Sequence, residues 1–379
     1  MNVLHLTSDW KWTGPAEPML HAVTGLRARG HGADLACAFP PPDASGGGLV
    51  ERARGRDVEP VARLAWVQGY RPLRDRRQVR ELRRLIADAR YDLVHVHHTR
   101  DLLLARAAIR GLPARARPRL VASWHRGEAP SRAPWTRWIW GGRAADGLTV
   151  LTSHLADAAV ALGWSPERVA VVPGVVDSER FSPRPRRPDL HAELGLGGAT
   201  CVVGVVARLQ PHRRFDLLLD AIASVRRELP GLRVLVVGRG TRAREVLEVP
   251  VAARGLGDVV LRAGYRGGDF TDVLACMDAL AFLVPGSDGS CRAVLEAMAM
   301  GIPVIATRRG TLPEIVCDGD TGQLIDETPS ALADALRALA RAPDLWGGRG
   351  GAGRKRVLER HQIPQLTRRL EQHYTSLLA

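Results

Sequence analysis

Short apolar runs alternate with amphipathic stretches along the chain, and this rhythm predicts strands that alternate with helices. An apolar strand is expected at Val3–Leu6, and Met19, Leu20, Val23 and Leu26 follow at the spacing of one helix face. Further runs of strand length lie at 33–38, 92–98, 119–125, 147–151 and 169–172. Because helical stretches separate these strands, the first half of the chain predicts a parallel α/β sheet.

The second half repeats this organisation after a stretch rich in proline and arginine. Residues 173–177 and 182–188 have the composition of an interdomain linker. Strands are then expected at 201–207, 232–238, 279–284 and 303–306, and helices at 215–228 and 292–300. The last residues place Ile363, Leu366, Leu370, Tyr374 and Leu377 at helical spacing. Two Rossmann-like domains that face a cleft would bring the carboxyl ends of both sheets to a ligand.

Composition narrows the class of protein. Of 379 residues, 45% are apolar and 25% charged, which is typical of a globular chain. The net charge is +14, but Lys11 and Lys355 are the only lysines among 54 basic residues, so the excess is arginine. We interpret this as a compositional bias and expect no nucleic-acid partner. Five scattered cysteines, no basic leader and no apolar run of about 20 residues predict a cytoplasmic protein without a membrane span.

Two segments contain candidate binding chemistry. Arg208 and Arg213 lie in a loop between a predicted strand and a helix, where guanidinium groups and helix amides favour phosphate oxygens. Asp288 lies in a small-residue loop, and Glu296 follows eight residues later inside an apolar helix. A carboxylate there needs a partner, and a ribose diol or an arginine would each supply one.

These segments belong to a longer pattern. Residues 288–306, 310–315 and 318–322 closely resemble the signature of retaining nucleotide-sugar glycosyltransferases of family four, also called group 1, which have the GT-B fold. That signature has an acidic pair spaced E-x7-E, a helix reading EAMA-x-G-x-P-V, and then G-G-x-P-E. Weaker matches occur in the right order along the chain: 13–17 resembles T-G-G-A-E, 92–98 D-V-V-H-x-H, 123–127 T-x-H-G, 173–177 P-N-G-V-D and 208–213 G-R-L-x-x-x-K.

The resemblance implies a domain plan. It gives an N-terminal Rossmann-like acceptor domain at 1–175 and a C-terminal donor domain at 176–358. A final helix at 359–379 would pack back on the N-terminal domain. The implied reaction moves a sugar from a nucleoside-diphosphate sugar to a glycan or lipid-linked acceptor, with retention of anomeric configuration and without metal or another cofactor.

The resemblance also implies roles for single residues. Arg208 and Arg213 would hold the donor diphosphate, Glu296 the ribose, and Asp288 the transferred sugar, while His125 would face the reacting sugar. Gly14 would let the backbone approach the phosphate and acceptor. The implied donor-binding and catalytic residues are Gly14, His125, Arg208, Arg213, Gly238, Asp288, Gly289, Ser290 and Glu296.

Several positions depart from the family pattern. Arg213 replaces the usual lysine, Arg214 the following glycine, and Asp288 the first glutamate, while Pro15 replaces the second N-terminal glycine. Two alternatives therefore stay open, a non-catalytic nucleotide-sugar-binding paralogue and a nucleotide-sugar epimerase of the same fold.

Three further features suggest other functions. His95, His97 and His98 could be metal ligands, but no carboxylate or cysteine cluster accompanies them, so we expect cleft histidines and no metal site. The Asp318-Gly319-Asp320 sequence mimics a metal motif in a turn context. The arginine-rich helix at 73–86 and the Trp- and Arg-containing segment at 132–140 would suit an anionic membrane surface. The simpler interpretation is a solvated helix face for the first and aromatic packing near the acceptor cleft for the second.

Overall fold

The computed structural model describes residues 1–12, 14–41, 48–64, 72–286 and 288–379, without the side chains of residues 72 and 73. Thr13, part of the T-G-G-A-E match, therefore lies outside the described residues. The chain forms two compact units. The first unit contains Met1–Gly174, 288–290 and Ile363–Ala379, and the second contains Val175–Gly286 and Cys291–Gln362.

The first unit is a parallel sheet covered by helices. Its elements are β1 (Asn2–Thr7), α1 (Ala16–Ala28), β2 (Gly32–Ala38), α2 (Leu49–Arg54), β3 (Ala62–Leu64), α3 (Pro72–Ala89), β4 (Leu93–Val96), α4 (Thr99–Arg110), β5 (Arg119–Trp124), α5 (Pro134–Trp140), β6 (Gly147–Val150), α6 (Ser153–Ala161) and β7 (Val169–Val171). Among the described residues the strand order is β3-β2-β1-β4-β5-β6-β7. Met19, Leu20, Val23 and Leu26 of α1 are all buried, which confirms the predicted helix face.

The second unit repeats the same architecture. Its elements are α7 (Pro188–Glu193), β8 (Cys201–Val206), α8 (Phe215–Val225), β9 (Leu232–Val237), α9 (Val249–Ala253), β10 (Val260–Gly264), α10 (Phe270–Ala275), β11 (Ala279–Phe282), α11 (Arg292–Ala299), β12 (Val304–Thr307), α12 (Leu312–Ile315), β13 (Gly322–Ile325), α13 (Pro329–Arg341) and α14 (Pro343–Arg360). The described strands lie in the order β10-β9-β8-β11-β12-β13. The last helix, α15 (Ile363–Leu378), belongs to the first unit and packs against α1.

In each parallel sheet, the order in which the chain adds strands reverses at one place. The chain runs outward from β1 to β3 and then returns to the other side of β1 with β4, and β8 and β11 are related in the same way. Ligands of doubly wound sheets bind outside the carboxyl ends of the strands at this switch point. In the first unit that point lies between β1 and β4, and in the second between β8 and β11.

The structure corrects two predictions from the pattern. Residues 182–188 are not a free linker, because Arg184 pairs with Asp272 and Arg186 with Asp278 inside the second unit. The Asp318 turn leads into β13, a strand that the pattern did not predict, and the Asp318 carboxylate accepts a hydrogen bond from the Leu324 amide. Asp318 therefore has a local structural role in this turn.

Candidate functional site

The loop after β8 contains two arginines at the switch point of the second unit. Arg208 lies two residues after the strand, and its side chain is exposed. Arg213 is half-buried, and its Nη1 donates to the Val284 carbonyl oxygen at 2.8 Å, just after β11. Its Nε is buried, and no group in the described part of the chain forms a hydrogen bond with it. The two predicted arginines thus lie at the place where this fold binds ligands.

Electrostatics confirm that these cations are close neighbours. Burial and then the charge of Arg208 lower the pKa of Arg213. Partial burial, and then the charges of Arg213 and Arg208, also lower the pKa of His212. The two guanidinium charges repel each other, and His212 is neutral at neutral pH, so this loop favours an anion between Arg208 and Arg213.

Glycines let the loops after β8 and β9 lie against each other. Gly238 has φ +144°, and a Cβ built there would lie 2.0 Å from the Ala207 carbonyl oxygen. A Cβ at Gly240 would lie 2.2 Å from the Leu209 carbonyl oxygen. Only glycine fits at both positions, so the backbone beside Arg208 is shaped by the absence of side chains.

Helix α11 places Glu296 in the second unit. Its neighbours Val294, Leu295 and Met298 are fully buried, whereas Glu296 is half-buried. Cys291, the residue just before α11 begins, has φ +49°, a left-handed conformation that is strained for a residue with a side chain. Arg214 has φ +57°, which explains why the family pattern has glycine at that position.

The loop residues 288–290 belong to the first unit. The Asp288 carboxylate accepts hydrogen bonds from the Ser290 amide at 3.0 Å and from the Ser290 hydroxyl at 2.8 Å. The Gly289 amide donates to the His125 carbonyl oxygen at 2.7 Å, and a Cβ at Gly289 would lie 2.3 Å from the Gly127 nitrogen. A Cβ at Gly14, whose φ is +57°, would lie 4.0 Å from that of Asp288. The first unit thus brings Gly14, His125, Asp288, Gly289 and Ser290 together.

Histidines fill the switch point of the first unit. His5 pairs in register with His95 on the neighbouring strand, and His97 and His125 follow the ends of β4 and β5. His97 lies 3.0 Å from His125, between Nδ1 and Nε2, and 3.1 Å from His5, between Nε2 and Nδ1. Burial lowers the pKa of His5 to about 3, and burial followed by the charge of His98 lowers that of His125 to about 3. These rings are therefore neutral at neutral pH.

A second polar chain lies beside the first. His95 Nδ1 lies 2.5 Å from the Tyr374 hydroxyl of α15, and its Nε2 lies 2.7 Å from the Ser123 hydroxyl. Ser123 in turn lies 2.6 Å from the Thr149 hydroxyl. The second chain therefore gives both nitrogens of His95 a partner.

The ring geometry bears on the metal alternative for these histidines. Among the described residues, His5, His95 and His97 form a group whose nitrogen atoms lie within 4.8 Å of one another. His95 and His97 are stacked, with ring centroids 4.6 Å apart and planes 25° apart. A metal ion lies in the plane of each imidazole that binds it, so stacked rings do not converge on one ion. Hydrogen bonds explain these contacts better: His5 bonds to His97, and His95 bonds to the Tyr374 and Ser123 hydroxyls.

The sequence pattern missed part of this site. His5 was read as a strand residue and Tyr374 as an apolar helix position, and Ser123 only as part of a loop motif. The available signal was that polar groups interrupt strands that are otherwise apolar. What the pattern lacks is the order of the strands, which places β1 beside β4 and β4 beside β5.

Two glycosyltransferase family descriptions match separate parts of this chain. Residues 200–342 match the family described as "Glycosyl transferases group 1", and residues 16–180 match "Glycosyltransferase Family 4". A GDP-mannose-dependent alpha-(1-6)-phosphatidylinositol monomannoside mannosyltransferase of Mycobacterium tuberculosis is 34% identical over 292 residues, which is 73% of this chain and 74% of that protein. A D-inositol 3-phosphate glycosyltransferase of Actinosynnema mirum is 40% identical over 213 residues, or 53% of this chain, and the match spans only 50% of that relative.

Solved structures agree on the fold. The crystal structure of Anabaena HepE in complex with UDP superposes with a TM-score of 0.82 at 19% identity, covering 99% of this chain and 100% of that one. Together with the two parallel-sheet units, this match confirms the predicted GT-B fold. The chain belongs to the family-four, or group 1, glycosyltransferases.

Proposed function

We propose that this chain transfers a glycosyl unit from a nucleoside-diphosphate sugar to a glycan or lipid-linked acceptor, with retention of configuration and without a metal. The observation that carries the proposal is the pair Arg208 and Arg213 at the switch point of the second unit, where each arginine charge opposes the other. A diphosphate relieves that repulsion. The two guanidiniums supply the positive charge that a divalent cation would otherwise supply to the leaving group.

The proposed chemistry balances without a separate base. The bond between the anomeric carbon and the diphosphate oxygen breaks, and a bond to the acceptor oxygen forms on the same face of the sugar. The acceptor proton goes to the departing phosphate oxygen. Arg208 and Arg213 stabilise the charge that develops on that oxygen.

Other residues position the donor in this proposal. Glu296 accepts hydrogen bonds from the ribose hydroxyls, since a carboxylate can accept from two hydroxyl groups. Asp288 contacts the transferred sugar, and its hydrogen bonds to Ser290 fix the orientation of its carboxylate. His125 faces the same sugar as a neutral ring. Gly14 and Gly238 let the backbone approach the phosphates closely.

A groove in the first unit supports a lipid-linked acceptor. It has a volume of about 740 Å³ and lies between α3 and α4. Apolar Val79, Leu103, Leu104 and Ala107 line it together with Arg76, Arg80 and Arg83, and with Arg100, which pairs with the Asp75 carboxylate in the same lining. Thr99 and Arg100 begin α4 just after β4, so the groove starts at the carboxyl edge of the sheet. An apolar groove with cationic sides suits the chain and headgroup of an anionic lipid.

Exposed tryptophans add to this picture. Trp135 and Trp138 of α5 are 65% and 64% exposed, and the Arg106 guanidinium of α4 lies over the Trp138 ring at 5.1 Å. Tryptophan is enriched where protein meets the headgroup region of a bilayer. Among the described residues, no helix is both long enough and apolar enough to cross a bilayer. We therefore propose a cytoplasmic enzyme that binds the membrane surface peripherally and has no nucleic-acid partner.

A nucleotide screen tests the catalytic proposal. Melting temperature is measured with UDP, GDP, ADP and their sugars, and we expect one nucleoside diphosphate to raise it. Glu296→Ala and Arg208→Ala should each abolish the rise, and an unchanged rise in both variants would refute the site. Release of the diphosphate from the matching sugar nucleotide, with the anomer of the product read by NMR, then tests turnover and retention. Binding without release, with or without a lipid extract, would identify a non-catalytic binder.

A vesicle experiment tests the membrane proposal. Sedimentation is compared on phosphatidylglycerol and phosphatidylcholine vesicles for two triple variants of α3. The first replaces the groove residues Arg76, Arg80 and Arg83 by glutamine. The matched control replaces Arg74, Arg77 and Arg84, which are exposed residues outside the groove lining. Greater loss of binding in the groove variant supports the groove, and equal sedimentation of both variants with wild type would contradict a membrane contact through α3.

A further inference from the structure

The three histidines His5, His97 and His125 form a continuous hydrogen-bonded chain that the proposed reaction does not explain. It runs from His5 Nδ1 to His97 Nε2 at 3.1 Å, and from His97 Nδ1 to His125 Nε2 at 3.0 Å. His5 is fully buried and His97 is 5% exposed, so neither ring meets the solvent. The chain ends at His125, the residue that the proposed function places beside the reacting sugar.

Neutral rings restrict how protons are arranged in this chain. Burial lowers the pKa of His97 well below its usual range, with further contributions from the neighbouring histidines. A neutral imidazole has one N–H donor and one bare nitrogen acceptor. Two hydrogen bonds among three neutral rings are therefore possible in two arrangements only, with all protons pointing from His5 toward His125 or all in reverse.

The buried end of the chain distinguishes the two arrangements. His5 Nε2 is buried and has no hydrogen-bond partner among the described residues. The reverse arrangement would place an N–H there without an acceptor, which is a rare and costly state for a buried donor. A small cavity of about 30 Å³, large enough for a water molecule, is lined by His95, His97 and His125, but His5 is not among its lining residues. The forward arrangement leaves a bare nitrogen at His5 and is favoured.

We propose that His97 and His5 are positioning residues that hold His125 as the neutral tautomer with its proton on Nδ1. In the forward arrangement, His125 Nε2 accepts from His97, so its remaining proton is on Nδ1. This inference rests on the proposed function for its role in catalysis: His125 offers the substrate a hydrogen-bond donor, not a base. The acceptor proton then has to go to the leaving phosphate.

Nitrogen-15 NMR of the whole chain with labelled histidine tests the tautomer without any turnover. Long-range proton–nitrogen couplings distinguish the two neutral tautomers, and His125→Gln identifies the His125 signals by their loss. We expect the wild-type His125 to have its proton on Nδ1 and to stay neutral as pH falls from 7, for as long as the first unit remains folded. A proton on Nε2 in the wild type would overturn the proposal.

Variants separate positioning from folding. His97→Phe keeps an aromatic ring but removes both hydrogen bonds, so His125 should become a mixture of tautomers, and kcat should fall about tenfold with little change in KM. Tyr374→Phe is the matched control, because it removes one hydroxyl from the parallel chain through His95 and should leave the His125 signals unchanged. An unchanged tautomer of His125 in folded His97→Phe would also overturn the proposal.

The two proposals can fail separately. If His125 has the expected tautomer but no sugar nucleotide is turned over, the positioning inference stands and the proposed function fails. If transfer occurs while His125 has its proton on Nε2, the function stands and the positioning inference fails.

Discussion

The two units share one sheet topology but present opposite chemistry at the switch point. The first unit fills it with buried imidazoles and hydroxyls that are neutral at neutral pH. The second places arginines and glycine loops there, with Arg208 exposed to solvent. One topology thus carries neutral polar groups at this point in one unit and cations in the other, and the residues that follow each strand decide which.

The largest expected effect is that acid destabilises the first unit more than the second. Burial lowers the pKa of His373 to about 4 and that of His95 well below its usual range, as it does for His5, His97 and His125. Unfolded histidines bind protons near pH 6.5, which these folded ones do not, so the free energy of unfolding falls as pH falls below that value. The slope is about 1.4 kcal/mol per pH unit for each such histidine.

One group in the first unit opposes this trend. Burial raises the pKa of Asp101 to about 6, so its protonation favours the folded state as pH falls from 6 to 4. The stability gained from this one carboxyl offsets only part of the stability lost through the five histidines. Hydrogen exchange, corrected for intrinsic rates, should show β1, β4 and β5 opening between pH 7 and 5 before β8, β9 and β11. Opening of both sheets at the same pH would contradict the comparison. As a control, His191→Gln in the second unit should leave the pH at which β1, β4 and β5 open unchanged.

The next largest effect concerns the glycine-shaped loop of the second unit. Gly238→Ala places a Cβ against the Ala207 carbonyl oxygen at a backbone angle that alanine rarely adopts. We expect a loss of about 2–4 kcal/mol in the free energy of unfolding, together with loss of nucleotide binding. Urea unfolding measures it. Gly257→Ala is the control, since a Cβ there meets nothing within 4 Å, and a loss below about 1 kcal/mol for Gly238→Ala would contradict the strained geometry.

A smaller effect tests the ribose contact. Glu296→Gln keeps the shape of the side chain but removes the charge that strengthens its hydrogen bonds to hydroxyls. We expect about tenfold weaker binding of the nucleoside diphosphate, corresponding to about 1.4 kcal/mol. Calorimetric titration measures it, and the same variant should bind inorganic pyrophosphate as wild type does. Equally weaker binding of the nucleoside diphosphate and of pyrophosphate would show that Glu296 contacts the phosphates and not the ribose.

The smallest effect concerns one of the positions where this chain departs from its family. Arg214 has φ +57° and pairs with Asp216 and Glu327, so its left-handed backbone is strained while its side chain makes two partly exposed ion pairs. Arg214→Gly should raise the free energy of unfolding by up to about 1 kcal/mol, because relief of strain exceeds the entropy that glycine adds to the unfolded chain. Thermal unfolding measures it, and a decrease of more than about 1 kcal/mol would show that the ion pair dominates.

The sequence predicted the groups of residues that lie close together along the chain, and it missed those that the fold brings together from distant segments. The Arg208–Arg213 loop and the Glu296 helix are local patterns, so spacing and family resemblance located them. The His5–His97–His125 chain joins three segments about 30 to 90 residues apart and needs the strand order to appear. Ion pairing also reversed the interpretation of 182–188, because proline and arginine content alone does not show that Arg184 has a partner in Asp272.

In the proposed function, guanidiniums of the second unit bind the donor diphosphate. Calorimetric titration tests this contact by adding the nucleoside diphosphate that the screen selects to wild type, Arg213→Ala and the neighbouring Arg214→Ala. We expect at least tenfold weaker binding for Arg213→Ala, stronger salt dependence in wild type than in that variant, and near wild-type affinity for Arg214→Ala. Equal affinity of wild type and Arg213→Ala would contradict it.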